Sequence, residues 1–305
     1  MRVLITGGSG FVGQSLCHHL KASGHSIQVV SRNPEAARKR LPKGVDIRTS
    51  ALDFVTRPPD ALVNLAGEPI AAKRWSVEHK EVLCDSRLNA TRELVMLCEQ
   101  LEHTAQAPAV LVSGSAMGFY GAQAEGSEAP EVDEATPPHD EFAHRLCRHW
   151  EEAAQGVTAY GVRLAILRTG LVLDKDGGML KRMLPAFRLG LGGRMGKGEH
   201  YMPWVHRQDL VEMIVTLLNR EDLSGAFNAS APNPVTNAQF TRALGSHLHR
   251  PTLLTVPEVV LQMVLGEMSC LLLSGARMVP KRFLEAGFEF RYPTLDSALG
   301  EILGQ

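Results

Sequence analysis

Only five cysteines occur in the 305-residue chain, Cys17, Cys84, Cys98, Cys147 and Cys270, and no two of them form a C-x-x-C pair. An odd, scattered set argues against a disulfide framework and against a thiolate zinc site, and it fits a reducing compartment. Net charge is equally scarce. With 32 Lys and Arg against 33 Asp and Glu the balance is −1, so there is no basic field to attract nucleic acid or an anionic membrane. No apolar run approaches the length of a membrane span. The first residues read as a strand, not as a charged segment followed by an apolar stretch, so a cytoplasmic location is expected. Histidines number twelve, but His18-His19 and His247 with His249 lack further donors at metal-ligand spacing. They read as surface residues, and no metal is expected. Repeats and low-complexity tracts are missing too.

What is present begins at once. Val3, Leu4 and Ile5 run into Thr6-Gly-Gly-Ser-Gly-Phe-Val-Gly13, with glycines at 7, 10 and 13. Phe11, Val12, Leu16 and Leu20 then follow a helical period. This is strand, tight turn, helix. Gly7 permits the turn, Gly10 lets a pyrophosphate approach the backbone, and Gly13 lets the helix pack close to the strand. The helix N-terminus adds free N–H groups and partial positive charge. A bound dinucleotide is the expectation, with Gly7, Gly8, Ser9, Gly10, Phe11 and Val12 as its first contacts.

A second strand, Ile27 to Ser31, ends in Ser31-Arg32-Asn33. A binder of NAD usually places Asp or Glu here to meet the ribose 2′-hydroxyl. A hydroxyl and a guanidinium suit a 2′-phosphate instead, so the cofactor is read as NADP(H). A short helix follows from Pro34 to Arg40. Strands are expected at 45–47, 60–67, 108–113 and 161–168, alternating with helices at 77–103 and 141–154. That alternation makes an α/β doubly wound parallel sheet. Ligands of such sheets lie beyond the carboxyl ends of the strands. Leu65, Ala66, Gly67 and Glu68 follow one such end, Ser113 another, and Arg87 lies early in the helix between them. Residues 1–173 are therefore assigned to the nucleotide-binding domain. Residues 174–305 are assigned to a smaller substrate lobe, with some elements returning to the core. In that lobe Met179 to Leu189 reads as a helix. Gly190 to Gly198 reads as too glycine-rich for regular structure; with Arg188, Arg194 and Lys197 it is either a cover for an anionic substrate or a mobile loop. Trp204 to Asp209 opens a further helix, and Thr236-x-x-Gln239 is a capping-box pattern.

These residues resemble the extended short-chain dehydrogenase/reductase superfamily. The matching pieces are the glycine turn, Asn64-Leu-Ala-Gly67, Ser113-Gly-Ser115, Val205-His-x-x-Asp209 and Gly225-x-Phe-Asn228. More narrowly, the chain is similar to an atypical epimerase-like family of NADP-dependent oxidoreductases. Distinctive here are Asn64 to Ile70 with Lys73-Arg-Trp75, Leu146-Cys-x-x-Trp-Glu151, Pro185 to Gly193 and the tail from Val279 to Tyr292. The resemblance spans the chain. It implies a Rossmann fold with a seven-stranded sheet, and cofactor contacts on Gly7 to Val12, Ser31, Arg32, Leu65, Ala66, Arg87 and Val172.

The superfamily's usual proton-transfer pair, Tyr-x-x-x-Lys, is missing. In that pair the ammonium lowers the pKa of the tyrosine one turn away. This chain has four tyrosines, and four residues after Tyr120, Tyr160, Tyr201 and Tyr292 stand Ala124, Leu164, Val205 and Asp296. Aligning Glu151 with the superfamily's downstream glutamate puts Ala143 and Cys147 at the two vacated positions, and Arg87 where an asparagine is common. Ser115, or Ala116 in a one-residue shift, matches the substrate-orienting serine. Ser115 and Tyr120 are thus the catalytic candidates, Tyr120 being equally readable as a packed aromatic. Cys147 is either a thiol acid or an inert helical cysteine. Arg145 and Arg148 either hold a substrate anion or lie on a solvated face. The expected function is an NADP(H)-dependent oxidoreductase or epimerase. Its substrate is expected to be a small polar carbonyl, an anionic one included, or a sugar nucleotide. The alternative is a catalytically silent NADP(H)-binding sensor or scaffold.

Overall fold

The computed structural model describes all residues except 103, 105, 127 and 305. In β1 (Arg2–Thr6) Val3, Leu4 and Ile5 are all fully buried. A strand apolar on both faces belongs inside a parallel sheet covered on both sides. Val3 and Ile5 point to one side and Leu4 to the other, as strand geometry requires. The sheet continues through β2 (Ser26–Val30), β3 (Asp46–Arg48), β4 (Ala61–Asn64), β5 (Val110–Ala116) and β6 (Arg163–Thr169). Three short ladders follow: β7 (Leu171–Leu173) with β10 (Trp204–His206), β8 (Gly193–Met195) with β13 (Leu254–Val256), and β9 (Tyr201–Met202) with β12 (Val235–Thr236). The chain re-enters the main sheet as β11 (Gly225–Ala229), giving the order β11-β6-β5-β4-β1-β2-β3, with every neighbour pair parallel.

The helices are α1 (Phe11–Ala22), α2 (Pro34–Arg38), α3 (Val77–Leu101), α4 (Phe142–Gln155), α5 (Gly178–Arg188), α6 (Arg207–Asn219), α7 (Asn237–His247), α8 (Glu258–Leu265), α9 (Cys270–Leu273), α10 (Lys281–Glu285) and α11 (Leu295–Leu303). Leu16 and Leu20 of α1 and Ile214 and Leu217 of α6 join Val3 and Ile5 in one core. Leu94 and Leu97 of α3 and Ala154 of α4 cover the opposite face with Leu4 and Leu62. A third cluster, around Leu180, Phe187, Phe240 and Leu299, takes in Leu173 and otherwise lies beyond it, with Leu171 packed against it. The strands therefore form one two-sided core, and β11 and α6 belong to it although they follow residue 173.

Several expected boundaries move. The helix expected from Trp204 starts at Arg207, because Trp204–His206 pairs with β7. The glycine-rich stretch 190–198 is not irregular throughout: Gly193–Met195 gains a ladder partner in Leu254–Val256, which no local pattern announces. The C-terminal limit expected for α3, His103, lies outside the described residues. The capping box at Thr236 and Gln239 is formed. Among the described residues no helix is long and apolar enough to cross a membrane. No three His, Cys, Asp or Glu side chains among them come together as metal ligands.

Candidate functional site

Strand order reverses at β1, which has β2 on one side and β4 on the other. The carboxyl ends diverge there, and that is where open α/β sheets bind ligands. Gly7 follows β1 with φ +72°, and a Cβ on it would lie 2.5 Å from the Leu65 carbonyl oxygen. A Cβ on Gly13 would lie 2.3 Å from the Gly7 oxygen. Both glycines are forced by backbone approaching backbone. Gly10 differs: its Cβ would meet only the Gly7 oxygen, at 3.1 Å. Gly10 is also the N-cap of α1, with no side-chain cap and no acidic residue in the first turn. The turn is thus held tightly from below and left open above, with uncapped helix donors on the open side. Ser9 sits between them, its carbonyl taking a hydrogen bond from the Gln14 side chain at 2.8 Å. The Phe11 ring packs under Gly177 and Gly178, with the Arg207 guanidinium 5.0 Å from its centre. Val12 and Val172 are half-buried at the same edge.

At the end of β2 the Ser31 hydroxyl lies 3.2 Å from the Asn33 carbonyl, and Asn33 caps α2. Arg32 projects outward with 92% of its side chain exposed, its only ion-pair partner among the described residues being Glu68 at 3.9 Å. At the end of β4, Leu65, Ala66 and Glu68 are half-buried and Gly67 is exposed. Arg87 reaches back beneath them. Its guanidinium donates to the Leu83 and Glu68 carbonyls at 2.9 and 3.1 Å and stacks 5.2 Å from the Trp150 ring. Burial lowers its pKa, against the opposing pull of Cys147, Cys84 and Glu68. A buried chain fixes it to the turn: Thr6 donates to Asn64, Asn64 to Thr91, and Thr91 to the Arg87 carbonyl, at 2.6, 2.8 and 2.8 Å.

β5 runs three residues further than expected, to Ala116. Ser113 is therefore enclosed between Asn64 and Ile166 of the neighbouring strands and presents no side chain at the edge. Ser113, expected as a cofactor contact, thus lies inside the strand, three residues before its end. Ser115 pairs with Arg168 and donates its hydroxyl to Glu151 at 2.7 Å. Arg168 grips the same carboxylate with two nitrogens, both at 3.0 Å. Its third nitrogen donates to the Tyr120 oxygen at 3.1 Å, and Tyr120 donates to Asn228 at 2.6 Å. Asn228 passes its amide protons to the Val132 and Val279 carbonyls. Burial works against the Arg168 charge, but Glu151 and Tyr120 outweigh it, and its pKa ends above the usual value.

Tyr120 is consequently the hub of this network. It is fully buried, both roles of its hydroxyl are used, and burial pushes its pKa up to about 12. The replacement Tyr120→Phe is expected to cost about 1–3 kcal/mol of folding stability, read by urea denaturation, because it leaves Asn228 and Arg168 each short of a partner. A variant of unchanged stability that has lost turnover would restore the catalytic role. Ala143 and Cys147, standing where the usual pair is absent, press against Gly118, whose added Cβ would meet the Ala143 Cβ at 3.1 Å. Burial raises the Cys147 pKa to about 11, and its thiol lies 3.8 Å from the Ala116 carbonyl. Arg145 and Arg148 pair at the surface with Asp140 and Glu152. Arg194 bonds to Thr255 across the β8–β13 ladder. Sequence reading missed Arg168, and also Glu134, whose carboxylate accepts from the Asn228 backbone N–H at 2.9 Å. The signals available for this network were Glu151 and Asn228, each in a motif that the sequence displays.

A seven-stranded parallel sheet with a glycine turn at its switch point defines a Rossmann-type protein of the extended short-chain dehydrogenase/reductase superfamily. The chain belongs to the NAD dependent epimerase/dehydratase family, whose model matches residues 3–230. A domain of unknown function, DUF1731, matches residues 256–302. The chain is 38% identical to the chloroplastic epimerase family protein SDR39U1 homolog of Arabidopsis thaliana, over 99% of this chain and 87% of that one. It is 38% identical to the epimerase family protein SDR39U1 of Bos taurus, over 99% of this chain and 100% of that one. Its structure resembles the crystal structure of human SDR39U1, isoform 2, with NADPH: TM-score 0.86, 33% identity, and full coverage of both chains.

Proposed function

We propose that the chain is an NADP(H)-dependent oxidoreductase or epimerase acting on a small polar carbonyl compound or on a sugar nucleotide. The observation that carries this is the open, uncapped N-terminus of α1 at the strand-order switch, flanked by the outward Arg32. The residues fit the cofactor. Gly7, Gly8, Ser9, Gly10, Phe11 and Val12 would hold its pyrophosphate, Ser31 and Arg32 its 2′-phosphate. Leu65, Ala66, Gly67, Glu68, Arg87 and Val172 would line the rest. The similarity to a protein crystallised with NADPH supports the same choice. The chemistry supplied by bound NADP(H) is hydride transfer. Of the two catalytic candidates, Tyr120 has both roles of its hydroxyl engaged, and Ser115 is the one proposed to meet the substrate. Its proton goes to Glu151, so its oxygen would accept a hydrogen bond from a substrate hydroxyl, and the Glu151–Arg168 pair would hold it in place.

Arg32→Asp is expected to weaken NADPH binding by about tenfold to a hundredfold and to leave NADH binding nearly unchanged, because a charge-assisted phosphate contact is lost. Titration calorimetry with both nucleotides measures this, and equal losses for the two would remove the 2′-phosphate assignment. A second reading, a catalytically silent NADP(H) sensor or scaffold, draws on the close packing of Ala143, Cys147 and Gly118 where a proton donor usually stands. NADPH oxidation across a carbonyl panel separates the two. Turnover that Ser115→Ala abolishes supports the enzyme; tight NADPH binding with no turnover supports the sensor.

A further inference from the structure

The acid that faces Arg32 arrives from β4, not from β2. β1 lies between those two strands, and Thr6 at its end is level with Val30 on one side and Asn64 on the other. Arg32 follows Val30 by two residues and Glu68 follows Asn64 by four. Their side chains meet across the exit of β1, with Arg32 Nη2 3.9 Å from Glu68 Oε2. The Glu68 main chain is fixed from α3. Its N–H donates to the Ser86 hydroxyl at 2.9 Å, and its carbonyl accepts from Arg87 at 3.1 Å. The Glu68 side chain is 27% exposed and that of Arg32 92%. The carboxylate is therefore the placed member of the pair, and the guanidinium is the free one. An exposed pair of this kind adds little stability, and a ligand can part it at small cost.

We propose that Glu68 is a second selector at the adenosine ribose: its carboxylate accepts a hydrogen bond from the 2′-hydroxyl of NAD(H) and repels the 2′-phosphate of NADP(H). This rests on the NADP(H) reading above, which gives Arg32 the 2′-phosphate. A binder of NAD carries its acid at the end of the second strand, where it meets the ribose hydroxyl. Here that strand ends in Ser31-Arg32-Asn33, and the acid comes from the strand on the other side of β1. Any group that pairs with Arg32 comes within a few ångströms of the carboxylate, because Arg32 itself does. Arg32 and Glu68 thus pull in opposite directions on one substituent. A like charge about 5 Å away in water weakens binding by about fourfold, and a phosphate dianion by more. A hydroxyl meets no such penalty and gains a charge-assisted acceptor. The site then takes both cofactors, and its preference for NADP(H) is narrower than Arg32 alone would make it.

The test titrates the full chain with NADPH and with NADH by calorimetry, at low salt and at about 1 M salt, where charges more than about 3 Å apart are screened. The parent is expected to bind both, NADPH the more tightly. Glu68→Gln removes the charge and keeps the shape. It is expected to bind NADPH about fivefold more tightly at low salt, with the gain fading at high salt. Glu68→Ala removes the acceptor as well, and is expected to bind NADH about tenfold more weakly. Both variants are expected to melt close to the parent. NADPH binding that is unchanged or weaker in Glu68→Gln overturns the proposal and makes the carboxylate a brace for Arg32. So does a gain that salt does not reduce, a loss of both cofactors together in Glu68→Ala, or a parent that does not bind NADH. A parent that binds NADH but not NADPH refutes the 2′-phosphate reading instead, and the NADH titrations still report on Glu68.

Discussion

Gly13→Ala is expected to reduce NADPH affinity by about a hundredfold, the scale of loss caused by misplacing a binding group by about an ångström. The added methyl meets the Gly7 oxygen at 2.3 Å, the Gly8 Cα at 2.7 Å and the Gly8 carbonyl carbon at 2.8 Å. All three are backbone atoms, so no side chain can rotate away. The start of α1 must lift off the turn, and the donors that face the pyrophosphate move with it. Overpacking of this kind also costs about 1–3 kcal/mol of stability. Gly10→Ala separates the two effects. Gly10 has φ −78° and ψ 179°, ordinary values for alanine, and its added methyl meets the Gly7 oxygen at 3.1 Å on the open side. That variant is expected to keep most of its stability and still lose NADPH affinity. Calorimetry with NADPH and thermal melting of both variants decide the matter. Parent-like binding by Gly13→Ala would mean that the turn does not hold the cofactor.

Arg168→Met is expected to destabilise the fold by about 3–5 kcal/mol, the usual consequence of stranding one member of a buried ion pair. Arg168 is 6% exposed and Glu151 9%. Removing the guanidinium leaves the carboxylate with Ser115 as its remaining side-chain donor. It also takes a donor from Tyr120 and the cation that lies 3.4 Å from the centre of the Phe119 ring. The double variant Arg168→Met with Glu151→Leu is expected to recover most of that stability, because no buried charge is then left unpaired. Urea denaturation of the parent, the single and the double variants measures it. A single variant within about 1 kcal/mol of the parent would show that Arg168 is not the anchor of this network. If Ser115 acts in turnover, the stable double variant should also be slow, since the serine has lost the group that orients it.

The opening turn was legible because its requirements are local. Three glycines at a fixed spacing, a strand before and a helix after constrain one another within thirteen residues. Arg32 was legible for the same reason, as the residue just past a recognisable strand. The end of β5 was not. Its last three residues, Gly114, Ser115 and Ala116, carry no strand signature of their own. They are held by pairing with Leu167, Arg168 and Thr169, about fifty residues later. That extension removed Ser113 from the edge. β8 escaped notice because glycine-rich sequence becomes a strand only when a distant partner supplies the ladder.

By itself the sequence determined the α/β class, the parallel sheet, the position of the glycine turn and the absence of a Tyr-x-x-x-Lys pair. Each follows from side-chain period or from residue identity at short range. Only the tertiary structure decided what Tyr120 bonds to, that Arg168 binds Glu151 and that Arg87 reaches the β4 exit. Those facts depend on groups tens to more than a hundred residues apart being desolvated together. Burial decides whether a hydroxyl is free or engaged, and burial belongs to the packed chain, not to any one stretch of it.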